Sequence, residues 1–214
     1  MRGRLTRATA VIAVVLVSAV SACATPGPPR RSVEEWASRT MVEDSALDSD
    51  IRIVSAELDT VTPRGSRNDK QRFFLRSWKN KTSGVIGHQL YVDIWHQDSG
   101  ARHYTDASFI GGARVDVAVI GYRPNCAAGG GNAICSHDET FAVPLTTEQL
   151  KIGATSDLQV RVNSQAGVFN VLTIPGPYIE AHLRGVAEAA GIGPDREAVT
   201  SEPDRVKKTQ RGGR

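Results

Sequence analysis

The sequence predicts a mainly β fold, two antiparallel sheets packed face to face with one α-helix at the C-terminal end. Three observations carry that expectation. From about residue 51 onward, short runs dense in β-formers alternate apolar and polar residues with period two. Clusters of Gly, Asn, Asp and Ser separate the runs at short intervals. Helical stretches of the length that parallel crossovers require are missing between them, which argues against an α/β fold.

The runs are 51–61, 71–78, 85–96, 102–110, 114–122, 139–145, 158–162 and 167–174. In the third, Leu90, Val92 and Ile94 share one face, while Gln89, Tyr91, Asp93 and Trp95 share the other. In the fifth, Val115, Val117 and Val119 alternate with Arg114, Asp116 and Ala118. In the seventh, Leu158, Val160 and Val162 alternate with Gln159 and Arg161. One apolar stripe per run is what a sheet with one buried side requires. Asn80-Lys81-Thr82-Ser83-Gly84 separates runs two and three, Asp98-Ser99-Gly100 follows run three, and Gly111-Gly112 joins runs four and five. Ser164-Gln165-Ala166-Gly167 joins runs seven and eight, which should pair as a hairpin. Eight such strands predict an immunoglobulin-like antiparallel β-sandwich. The likeness is architectural, since the Cys…Trp…Cys pattern of antibody domains is absent.

Helices are few. Ser32 can cap a short helix with Glu35 at the capping-box position and Val33, Trp36 and Ala37 on one face. Residues 146–151 have room for a turn of helix. After Pro175-Gly176-Pro177, residues 178–190 carry Ile179, Leu183, Val186, Ala187 and Ala190 at helical spacing, and Gly191 and Pro194 would end that helix. It is expected to pack against the open edge or end of the sandwich.

The N-terminal segment has another character. Arg2, Arg4 and Arg7 precede an apolar stretch, residues 8–20, that is too short to span a hydrocarbon core of roughly 30 Å. It ends in Val20-Ser21-Ala22-Cys23. Charged start, short apolar stretch and this tetrapeptide together resemble the signal of bacterial lipoproteins: an aliphatic residue, two small residues, then the lipobox cysteine. Val20 departs from the commoner leucine. The resemblance covers about 23 residues. It implies that the Cys23 thiol receives a diacylglycerol and that the chain is cut before it. Such a protein carries two or three acyl chains, enough for stable anchoring. Ala24 rather than Asp after the cysteine resembles the outer-membrane sorting pattern of enteric-type bacteria. The segment 24–31, rich in Pro and Gly, reads as a tether. The expected organisation is a signal peptide (1–22), a lipidated N-terminus and flexible tether with a short helix (23–44), a β-sandwich domain with its C-terminal helix (45–193) and a disordered basic tail (194–214).

The formal net charge is +3, with 26 Lys+Arg against 23 Asp+Glu. Removal of Arg2, Arg4 and Arg7 with the signal leaves no net charge, so nucleic acid is not an expected partner. The cysteines are Cys23, Cys126 and Cys135. With Cys23 acylated and the body outside the cytoplasm, Cys126 and Cys135 should form a disulfide. Alternatives for this pair fall short. A zinc site lacks ligands beyond His137, a redox pair lacks C-x-x-C spacing, and Gly129-Gly130-Gly131 lacks the rest of a phosphate loop.

The five histidines are His88, His96, His103, His137 and His182. His88 and His96 lie about 26 Å apart on an extended strand and cannot share one metal. His96 and His103 flank a turn and, with Asp93 or Asp106, form a candidate polar site. No G-x-S-x-G, H-E-x-x-H or S-x-x-K motif occurs, and the adjacent Asp138 and Glu139 should point to opposite faces. Asn80-Lys81-Thr82 matches a glycosylation sequon, read as chance beside a bacterial export signal. Phe73, Phe74, Trp78, Tyr91 and Trp95 cluster in runs two and three. The candidate binding surface is Tyr91, Asp93, Trp95 and His96 together with Gly129, Gly130 and Gly131 at the tip of the cysteine loop. No cofactor is implied. The expected partners are the membrane, through lipid on Cys23, and an envelope protein or cell-wall polymer. The functional expectation is a non-enzymatic accessory or interaction module of the cell envelope. The alternative is an envelope enzyme or a carrier of a small ligand or glycan. A deep polar pocket holding His96, Asp93 or His103 would favour that alternative.

Overall fold

Period-two patterning is realised as eleven strands and three helices among the residues described by the computed structural model, 31–64, 67–112, 114–126 and 135–191. The signal segment, Cys23, the tether up to residue 30, the Gly129–Gly131 tip and the basic tail lie outside the described residues. In chain order the elements are α1 (Val33–Ala37), β1 (Met41–Glu43), β2 (Asp50–Val54), β3 (Leu58–Arg64), β4 (Arg67–Asn80), β5 (Ile86–His96), β6 (Tyr104–Phe109), β7 (Arg114–Asp116), β8 (Ala118–Cys126), β9 (Cys135–Leu145), α2 (Thr147–Ser156), β10 (Leu158–Ser164), β11 (Phe169–Ile174) and α3 (Gly176–Ala190). A seven-stranded sheet runs β1-β2-β4-β5-β9-β8, with β3 beside the first half of the long β4. A four-stranded sheet runs β11-β10-β6-β7. All pairings are antiparallel, and the two sheets form a β-sandwich closed by the C-terminal helix.

The apolar stripes face inward. Leu90, Val92 and Ile94 of β5 register with Leu75, Phe73 and Gln71 of β4 and with Val143, Phe141 and Glu139 of β9. Val160, Val162, Leu172 and Ile174 face them from the smaller sheet. Each such side chain contributes about 1.5–3 kcal/mol by leaving water. The β4–β5 turn is built on Asn80, whose side-chain oxygen accepts from the backbone of Thr82 and Ser83. Gly84 then takes the positive φ that closes it. β10 and β11 pair as the expected hairpin.

The fifth run departs from its single-strand reading. The chain leaves the smaller sheet at Asp116 and enters the larger one at Ala118. Val117 between them bonds to the Thr105 carbonyl. Val115 and Val117 pack on the core, whereas Val119 is 72% exposed. The alternation survives, but its stripe is shared between two sheets.

Helix α2 is longer than a turn. Thr146 and Gln149 form a reciprocal capping box, and the helix continues to Ser156. Gly153 allows this, because a Cβ there would lie 2.8 Å from Ile179 and Leu158. Ser32 caps α1 through the Glu35 N–H, while the Glu35 carboxylate pairs with Arg31. Trp36 is buried edge-on to Tyr178, ring centroids 5.1 Å apart, and β1 pairs with β2. Residues 33–43, grouped with the tether in the sequence reading, are thereby part of the packed body.

Helix α3 packs at the edge of the larger sheet formed by β1, β2 and the adjoining β4. It lies on the inner face of the larger sheet against β2 and β4. Gly185 is why it fits: a Cβ there would be 3.3 Å from Ile53 and 3.1 Å from Thr40. The Tyr178 hydroxyl donates to the Ala56 carbonyl and accepts from the Leu75 N–H. Gly191, with φ 74°, ends the helix as a left-handed cap.

Cys126 and Cys135 are disulfide-bonded across the β8–β9 ladder, with Cα atoms 4.1 Å apart. Ring closure across this short separation limits the unfolded chain. Cys126→Ser/Cys135→Ser is expected to lower the unfolding free energy by about 2.5–3 kcal/mol. Denaturant titration of oxidised wild type against the double variant measures it, and a loss under about 1 kcal/mol would contradict the loop-closure account.

Candidate functional site

The outward face of the larger sheet carries a groove of about 670 Å³ across β3, β4, β5, β8 and β9. Tyr91, Asp93 and Trp95 line it, joined by Asp59, Lys70, Arg72, Arg123, Asp138 and Thr140. The antiparallel register dictates this grouping. Lys70 lies opposite Trp95, Arg72 opposite Asp93, Phe74 opposite Tyr91, and Asp138 beside both Trp95 and Arg123. The Lys70 ammonium sits 4.9 Å from the Trp95 ring centroid, and the Phe74 and Tyr91 rings stack at 4.8 Å. Asp93 accepts a hydrogen bond from the Thr140 hydroxyl, and Arg72 pairs with Asp59 at 3.4 Å and Glu57 at 3.6 Å. Three cations and three carboxylates line the groove, so its charge is mixed and balanced.

A second recess of about 420 Å³ opens on the same face around Trp78, Arg76 and Arg52. The aromatic cluster read from the sequence is therefore split by parity. Phe73 enters the core, while Phe74, Trp78, Tyr91 and Trp95 remain outside it. The cationic and carboxylate partners were missed because their common face depends on strand register, which the sequence does not display.

His96 does not belong to this surface. Successive strand residues alternate sides, so His96 points inward beside Trp95 and is fully buried. Its Nε2–H donates to Glu139 at 2.9 Å. Glu139 also accepts the backbone N–H groups of Arg102 (2.6 Å) and His103 (2.9 Å). Burial by itself would raise the Glu139 pKa; the bonds from His96 and these two amides outweigh it and hold the carboxyl below its ordinary value. The amide bond also steadies His103 in its left-handed conformation, φ 55°.

Arg102 is 1% exposed and makes a bidentate pair with Asp69 at 2.7 and 2.8 Å. It also donates to Asp98 (2.5 Å) and to the Tyr104 hydroxyl (3.0 Å). Tyr104 donates to Asn170, which in turn donates to Asp69. Burial pushes the Tyr104 pKa up to about 12. His137 stacks on His96 at 5.1 Å, donates through Nε2 to the Asp98 carbonyl and accepts at Nδ1 from Tyr122. This network ties together the connection by which the chain passes from the larger sheet to the smaller one.

The candidate site of His96, His103, Asp93 and Asp106 is accordingly not assembled. Asp93 is outside, His96 is inside, His103 is exposed on the connection, and Asp106 pairs with Arg114 and Asn163 on the smaller sheet. Among the described residues no three His, Cys, Asp or Glu side chains are grouped to hold a metal ion.

A second buried polar chain lies under α3. Ser55 contacts His182 Nδ1 at 2.7 Å, Ser77 contacts His182 Nε2 at 2.7 Å and His88 Nδ1 at 2.6 Å, and His88 Nε2 contacts Thr147 at 3.1 Å. Burial pulls the pKa of His88 down and that of His182 to about 3. Ser77 and His182 are fully buried, so this serine–imidazole contact is closed to substrate. Sequence separations of 105 and 127 residues hid it from pattern reading.

No family model, curated protein or solved structure matches the chain.

Proposed function

We propose that the chain is a lipid-anchored lipoprotein of the cell envelope that acts as a non-enzymatic binding module, presenting the outer face of its larger sheet to a partner. The observation that carries the reading is the contrast between the two faces of that sheet. Inside, His96, His182, Glu139 and Asp69 are buried and hydrogen-bonded to other groups of the fold. Outside, aromatic rings and balanced charges line an open groove that contains Asp93 but neither His96 nor His103. Chemistry of that kind recognises rather than reacts. The lipobox resemblance at Val20–Cys23 and the Cys126–Cys135 disulfide support a place beyond the cytoplasmic membrane.

Mass spectrometry of protein purified from native membranes is expected to find a diacylglyceryl-modified Cys23 as the first residue. Cys23→Ser should release the protein to the soluble fraction. Crosslinking in native membranes should then capture an envelope component with wild type and lose it with Cys23→Ser. An intact, unmodified amino terminus in the cytosol would overturn the reading.

A further inference from the structure

We infer that the free edge of β11 takes an extended, uncharged strand from a partner protein, which completes the smaller sheet over β3. The groove of the larger sheet plays no part in this, so either reading survives the loss of the other.

An unpaired strand edge is a template for pairing, and folds blunt such edges with short strands, charges, prolines or bulges. The other edges among the described residues are blunted in this way. β1 is three residues long and ends in Glu43, and β7 is three residues long with Arg114 and Asp116. β3 carries Asp59 and Pro63. β8 carries Arg123 and Pro124, and its ladder slips between Val119 and Gly121. β11 has no such guard. Its six residues, Phe169–Ile174, hold no charge, proline or glycine and pair with β10 without a shift of register.

The backbone of β11 is turned so that it can accept a neighbour. The Ser164 N–H bonds to the Val168 carbonyl. Alternation from that pair turns the N–H and C=O of Asn170 and Leu172 toward β10, and those of Val171 and Thr173 away from it. Among the described residues no strand pairs with that side.

The larger sheet decides what fits there. Asn170 donates to Asp69 of β4, so β11 lies opposite β4. β3 lies one strand further out, with no strand of the smaller sheet facing it. Two copies of the chain meeting edge to edge at β11 would drive their β3 strands into one another, because both would have to share the spacing of about 4.8 Å that holds one strand. A single added strand needs only that width. It lies over Thr60 and Thr62, whose hydroxyls bond with Gln71 on the inner face of β3. β11 offers no charge to pair with, so the strand that suits it is uncharged, and main-chain hydrogen bonds supply the affinity.

The probe is a capped synthetic hexapeptide of alternating valine and threonine, with an ethylene-glycol tail for solubility, added to the full chain in detergent micelles. With peptide at about ten times its dissociation constant, amide exchange at Val171 and Thr173 should slow about tenfold. Asn170 and Leu172, already bonded to β10, should change less. The same peptide N-methylated along its backbone should have no effect. Val171→Pro removes an N–H that points away from β10, a place where a strand tolerates proline, so the variant should fold and lose the response. Thr173→Lys gives β11 a charge of the kind the other edges carry and should weaken the response too. No slowing with the peptide, or equal slowing with its N-methylated form or in the folded variants, would overturn the inference. Val171 and Thr173 amides protected before any peptide is added, in a chain that sediments as a dimer, would make the occupant a second copy and overturn it as well.

Discussion

Arg102→Met is expected to lower the free energy of unfolding by about 3–5 kcal/mol, the cost of removing one partner from a buried ion pair. The guanidinium and the Asp69 carboxylate are each 1% exposed, and their two parallel hydrogen bonds are the planar fork-to-carboxylate geometry that suits arginine. Burial would lower the Arg102 pKa; bonds to Asp69, Asp98 and Tyr104 reverse that and raise it, keeping the cation in place. Methionine fills the aliphatic volume but leaves the Asp69 charge facing a thioether. Tyr104 and Asp98 lose a donor at the same time. The measurement is denaturant unfolding of Arg102→Met, Asp69→Asn and the double variant. The double variant should lose clearly less than the sum of the singles, because the charge stranded by the first change is gone after the second. A single-variant loss under about 1 kcal/mol would show that the network is not holding the inter-sheet connection.

That network also marks where the sequence stops being readable. Period-two stripes in residues 85–96 and 158–162 identify β5 and β10, their inward faces and the β10–β11 hairpin, because local alternation determines which side of a strand is apolar. The Ser32 cap and the Gly191 stop are likewise local signals. Arg102 gives no such signal. It opens the fourth run after an Asp-Ser-Gly turn, where nothing local marks it as buried, and the approach of β4 carrying Asp69 buries it. The extension of α2 through Gly153 and the seating of α3 through Gly185 depend in the same way on what lies opposite a missing Cβ. Of the candidate surface, Tyr91, Asp93 and Trp95 were legible by parity on one strand. Lys70, Arg72 and Asp138 needed the register of three strands.

The protein is also expected to lose stability in mild acid, well above the range in which carboxylates titrate. His182 has a folded-state pKa of about 3 against an ordinary value of 6.5, because burial disfavours its charged form. Between those values the unfolded chain binds a proton that the folded protein refuses. Stability from this group is therefore complete above pH 6.5 and falls by about 1.4 kcal/mol per unit as pH drops toward 3. His88, lowered for the same reason, adds to the slope. No carboxylate among the described residues bonds to His182; its partners are Ser55 and Ser77, so the imidazolium would stand uncompensated under α3. The consequence is specific in place as well as in pH. The chain Ser55–His182–Ser77–His88–Thr147 joins α3 to β4, β5 and the start of α2, so protonation there is expected to loosen the helix from the inner face of the sheet first. Unfolding free energies measured from pH 7.5 to 4.5 should fall steeply below pH 6.5. His182→Gln, less stable at neutral pH, should show a slope shallower by about 1.4 kcal/mol per unit. A wild-type curve that stays flat from pH 7 to 5 would mean that His182 is not held neutral by the fold. Amide exchange then locates the loss: residues 176–190 should exchange faster at pH 5 than at pH 7 relative to β9 and β10, which the chain does not join.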